Sequence, residues 1–131
     1  MNINVKKFCE LCELELDDLI SEMFTGTGYA INPKSDDEYE ATRAAVEYTY
    51  GKEHAYIERI FASMLMHGKT LVATDPEGKD HDFTLDLLEK GLDVLLEKAP
   101  DVFRDFVHGD HDMGSGLALA DCTFFGAIVY G

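Results

Sequence analysis

The chain has 131 residues, of which 46% are hydrophobic. That is one domain's length, with too much apolar content for a disordered acidic chain. It carries 26 acidic residues against 11 basic ones, a formal net charge of -15. Such a surface repels phosphates and anionic membranes, which argues against a direct DNA or RNA reader and points to a basic protein as partner. No stretch approaches the roughly 20 apolar residues that span a bilayer. Glu10 and Glu13 interrupt the apolar run that follows Lys6 and Lys7, so no signal peptide is expected. Three cysteines make no disulfide framework, and the expected location is cytoplasmic.

In chain order, Val5, Phe8, Cys9, Cys12, Leu16, Leu19, Ile20 and Met23 recur at helical spacing and predict one helix over residues 5–24, capped by Asn4. Leu11 and Leu14 widen its apolar stripe, which suggests several neighbouring helices or a second subunit. Residues 25–37 hold Gly26, Gly28 and Pro33 and read as a loop. A long second helix is expected over residues 37–67, with Val46, Tyr50, His54, Ile57, Phe61 and Met64 on one face and Ala41, Ala44, Ala45 and Tyr48 on an adjoining one. Gly51 lies in its middle, as a kink or a point of close packing.

Residues 70–83 suit a small β-hairpin around the Asp75-Pro76-Glu77-Gly78 turn. Thr84 caps a third helix bearing Leu85, Leu88, Leu92, Leu95 and Leu96. Pro100 opens a short fourth one with Val102, Phe103, Phe106 and Val107. The last segment, residues 117–131, is nearly all apolar and reads as a buried helix. The fold class is therefore mainly α: a single-domain (residues 1–131) bundle of about five helices, with room for the hairpin.

Asp121 is the only charge between Gly116 and Gly131, within expected core. A buried carboxylate needs a partner or a proton, unless it lies at a helix edge and faces solvent. His108, Asp110, His111 and Asp112 lie just upstream, and with Asp121 they make a stretch rich in metal-ligand types. The spacing is loose for zinc. Acids at the first, third and twelfth positions of residues 110–121 echo a calcium loop, but Gly114 and Ser115 break its central pattern. Cys9 and Cys12 have a redox-motif spacing but lie on a helical apolar stripe, as buried thiols would. The glycines of residues 25–28 lack the lysine of a phosphate-binding loop.

Two acidic rows remain. Glu10, Glu13 and Asp17 follow one side of the first helix; Asp82, Asp86, Glu89, Asp93 and Glu97 follow the third at spacings of three or four. Neighbours at that spacing lie about 5–6 Å apart, close to the phosphate spacing of a nucleic-acid strand. Lys90 and Lys98 interrupt the second row. The leading expectation is a non-catalytic acidic protein, an inhibitor or regulator docking on a basic, nucleic-acid-binding surface without a cofactor. The alternatives are a metal-dependent enzyme or metal-binding module using residues 108–121, and a structural subunit of an oligomer.

Overall fold

Asn4 caps the first helix as expected: its side chain accepts the Lys7 N–H at 3.2 Å, and α1 (Val5–Cys12) follows. The computed structural model describes residues 3–131. In it the first expected helix is two. Glu13 takes a left-handed conformation (φ 56°), and the Leu14 N–H donates to the Cys9 carbonyl at 2.9 Å, closing α1. Glu15 then caps α2 (Leu16–Phe24) in a reciprocal box, its own N–H bonded to the Asp18 carboxylate at 3.1 Å. The apolar stripe runs through the break because Val5, Phe8, Cys9 and Cys12 of α1 and Leu19, Ile20 and Met23 of α2 all enter the same core.

The loop after α2 contains a short strand, β1 (Ala30–Pro33), that sequence reading missed. Ser35 caps α3 (Asp36–Tyr50). The long second helix also divides. Gly51 (φ 88°, ψ 153°) leaves helical space, a 3-10 turn covers Lys52–His54, and α4 (Ile57–Met66) resumes. His54 is therefore exposed on the turn instead of lying on an apolar helix face. Arg59 of α4 fastens this corner. Its guanidinium lies 4.4 Å from the Tyr50 ring centre and 5.0 Å from that of Tyr56, and it donates to the His54 carbonyl at 3.0 Å.

The hairpin forms near the expected residues, as β2 (Leu71–Thr74) and β3 (Asp80–Phe83), paired Leu71 to Phe83 and Thr74 to Asp80. β1 adds antiparallel on the other edge, Ala30 to Thr74 and Pro33 to Leu71, giving the order β1-β2-β3. Proline suits an edge strand, where its missing N–H costs no ladder bond. One face of the sheet buries Leu71, Ala73 and Phe83. The chain continues through α5 (Leu85–Lys98), α6 (Pro100–His108) and α7 (Met113–Phe125); Thr84 caps α5 and Pro100 takes the first turn of α6, both as the sequence suggests, and Asp112 caps α7. Mainly α is correct, with seven α-helices among the described residues instead of about five, and a three-stranded sheet instead of a lone hairpin.

Helix α7 is the axis of the fold. From Ser115 to Thr123 all but Leu117 are buried. Two neighbouring helices approach its backbone at glycines: a Cβ at Gly116 would overlap the Glu22 carbonyl of α2, and a Cβ at Gly91 of α5 would overlap Thr123 of α7. Neither obstacle is the mobile tip of a long side chain. Gly116→Ala and Gly91→Ala are each expected to lower unfolding free energy by about 3 kcal/mol, although alanine is the better helix former. Urea denaturation checks this; stability unchanged or raised in either variant would contradict the packing.

Candidate functional site

The five metal-ligand candidates do not converge. His108 and Asp110 are exposed at and after the end of α6. His111 turns back to α2: its ring lies 5.2 Å from that of Phe106, nearly parallel, and its Nδ1 is 2.8 Å from Glu22 Oε1. Asp112 accepts the Ser115 N–H at 3.1 Å and starts α7. Asp121 lies two turns further on, fully buried. Among the described residues, no three His, Cys, Asp or Glu side chains are disposed to hold one metal ion.

Asp121 answers the question its sequence position raised. One carboxylate oxygen accepts the Tyr29 hydroxyl at 2.8 Å. The other accepts three successive backbone N–H groups, those of Val129 (2.9 Å), Tyr130 (2.7 Å) and Gly131 (3.0 Å). Four donors replace water around a fully buried anion, with no cation beside it among the described residues. The expectation of a solvent-facing aspartate is thus corrected. The side chain anchors the segment after α7, whose chain Gly126 turns back in a left-handed conformation (φ 68°). Burial, and then the bond to Asp121, push the Tyr29 phenol above its ordinary pKa, so it remains a donor. Asp121→Asn would turn an amide N–H₂ or a weaker acceptor toward these donors, with an expected cost of about 3 kcal/mol; Tyr29→Phe should cost about 1–2 kcal/mol. Urea midpoints measure both, and a neutral Asp121→Asn would show the anion to be dispensable.

A second buried carboxylate was not foreseen. Asp75 accepts the Glu77 and Lys79 N–H groups at 2.9 and 3.0 Å through one oxygen and lies 2.8 Å from His81 Nε2 through the other. The sequence signal was the hairpin itself: once Ala73 faces His81, Asp75 is the diagonal neighbour on the same face. The His81 bond first, then the two backbone donors, hold the Asp75 carboxyl below its ordinary value of 3.8. A carboxyl lowered in the folded state adds stability above its unfolded value and loses it as the pH falls through the folded one. Asp75→Asn should therefore be less stable than wild type at about pH 5, with the gap closing as the pH falls below about 3.8. A gap that stays constant over this range would refute the assignment.

The three thiols are buried, and chiefly that burial pushes each up to about 11, so they stay protonated.

The acidic rows are split by the fold. Glu89 accepts the Val5 N–H at 2.9 Å and Asp93 the Ile3 N–H at 2.8 Å. Both carboxylates of α5 thus lie against the positive end of α1. Asp17 is mostly covered and lies 3.8 Å from Arg59; Asp82 pairs with Lys34 at 3.0 Å. Glu10, Glu13, Asp86 and Glu97 remain exposed, without an ion pair among the described residues. No helix among the described residues is long and apolar enough to cross a membrane. Comparison with protein-family models, curated proteins and solved structures gave no match.

Proposed function

We propose that the chain is a non-catalytic binding protein whose exposed carboxylates dock on a basic protein surface, nucleic-acid-binding grooves included. One observation supports this reading above the others: Asp75 and Asp121 are the buried members of 26 acidic residues, so nearly the whole negative charge lies at the surface. Lysine and arginine partners cover a minority of it. A field of that size steers a basic partner at long range and repels like-charged surfaces. The contact residues assigned are Glu10 and Glu13 on α1 with Asp86 and Glu97 on α5. Asp17, Asp82, Glu89 and Asp93 already hold internal partners, which narrows the phosphate-row imitation to the ends of the α5 row.

Capture from a lysate of the protein's own source, at low and at raised salt, tests the reading. A basic partner is expected at low salt and should weaken by about tenfold or more as the Debye length shrinks from about 10 Å toward 3 Å. Reversing Glu10, Glu13, Asp86 and Glu97 to lysine should abolish capture and leave the circular dichroism unchanged. The same number of reversals that includes Glu53 and Asp110, both exposed and distant in sequence from the two rows, should weaken it less. A partner held equally at both salts, or no basic partner at all, would overturn the proposal.

A further inference from the structure

Helix α2 buries Leu19, Ile20 and Met23. On its opposite side Asp18, Ser21, Glu22 and Thr25 follow at helical spacing, with Leu14 one turn before them. His111 and Met113, where the chain enters α7, stand beside this face and complete a pocket of about 540 Å³. Both are held in place. Met113 lies across Gly26, where a Cβ would come within 2.8 Å of its sulfur. The His111 ring stacks on Phe106, and its Nδ1 is bonded to Glu22 Oε1. Asp18 accepts the Glu15 N–H through Oδ2. Among the described residues no donor reaches Asp18 Oδ1 or Glu22 Oε2, and neither acid has a lysine or arginine partner.

We infer that this pocket receives an arginine side chain of the basic partner; the inference rests on the docking proposed above and names the side chain that docking selects. The lining sets the class of occupant. Two carboxylates and no lysine or arginine line the pocket, so a cation fits and an anion does not. The Ser21 and Thr25 hydroxyls add further acceptors on the same face. Carboxylates one helical turn apart are separated by about 5–6 Å at their Cβ atoms. A planar guanidinium spreads its donors widely enough to meet two such groups at once, whereas an ammonium concentrates its donors at a point.

The walls suit the rest of that side chain. Leu14 and Met113 offer apolar contact to its methylene stem, and the thioether adapts to the shape it meets. The bond to His111 fixes the Glu22 carboxylate before anything enters, so little order is lost on binding. Place also agrees with the assigned surface. Leu14 directly follows Glu13, which puts the pocket at one end of the α1 row. The exposed carboxylates attract any cation diffusely. The pocket adds shape, and with it a preference among cations.

Titration of the intact protein with N-acetylarginine N-methylamide, followed by NMR, tests the inference. The amide signals of Ser21, Glu22, Thr25 and His111 and the Met113 methyl should shift and saturate at a concentration on the order of millimolar. Signals of Glu10, Asp86 and Glu97, outside the pocket, should move little. The lysine counterpart should bind more weakly, and the citrulline counterpart, of the same shape without the charge, should not saturate. Asp18→Asn, whose amide oxygen still accepts the Glu15 N–H, should weaken arginine binding by about fivefold. Ser21→Lys, which sets an ammonium between the two carboxylates, should abolish it and leave the circular dichroism unchanged. Shifts spread evenly over the acidic surface, an equal response to citrulline, or binding retained by Ser21→Lys would overturn the proposal. The two readings also separate. Saturable arginine binding with no basic partner captured would uphold the pocket and end the docking proposal; a partner captured equally well by Ser21→Lys would uphold the docking and end the pocket.

Discussion

The close approach of α2 and α5 to α7 is the constraint on which the rest of the molecule depends. A helix covered on every side can be packed by long side chains at a distance or by backbone at short range. This chain uses the second means, with Gly116 admitting the Glu22 carbonyl and Gly91 admitting Thr123. Around this close-packed seam the core rings form two clusters. Phe8, Phe103 and Phe106 make one, with ring centres 5.2 and 5.8 Å from Phe8. Phe24, Phe83, Phe124 and Tyr29 make the other, to which β3 contributes Phe83.

The buried polar groups follow from the same arrangement. Once α7 is enclosed, Asp121 has no route to water, and the segment after Gly126 supplies the donors that its charge requires. Asp75 solves a similar problem within a turn, with two backbone donors and an imidazole. Every buried side-chain nitrogen and oxygen among the described residues has a hydrogen-bond partner. Polar groups satisfied in this way stabilise one chain path through the core over its alternatives.

Periodicity made much of this visible in advance. The faces of α5 and α6, the apolar character of the last segment and the hairpin around Asp75-Pro76 were legible because each follows from local spacing and turn chemistry. The break at Glu13 was not, since a helix that stops and restarts on the same core keeps its apolar rhythm. Gly51 gave a signal, but a kink and a full stop have the same one-glycine signature. β1 is four residues long with half-exposed alternation, and it exists only because β2 offers an edge. The site residues divide in the same way. Spacing put the segment around Asp121 in the core but left the carboxylate itself to a solvent-facing helix edge. It could not reveal that the Asp121 partners come from a hydroxyl 92 residues away and from backbone that carries no side-chain code. Nor could it show that Glu89 and Asp93 face the start of α1, a contact across more than 80 residues.

The position of α7 in the chain has a consequence for synthesis. The helices that pack on it, α2, α5 and α6, all emerge from the ribosome before it does. Until residue 125 is made, the apolar faces of α2 and α5 have no central element between them, and Asp121 has not yet been given the backbone donors that follow it. The growing chain therefore passes through a state with strong local helices but no closed interior. Its high negative charge keeps neighbouring nascent chains apart during that interval. The charge carried on the surface of the finished protein thus also guards the unfinished one against association.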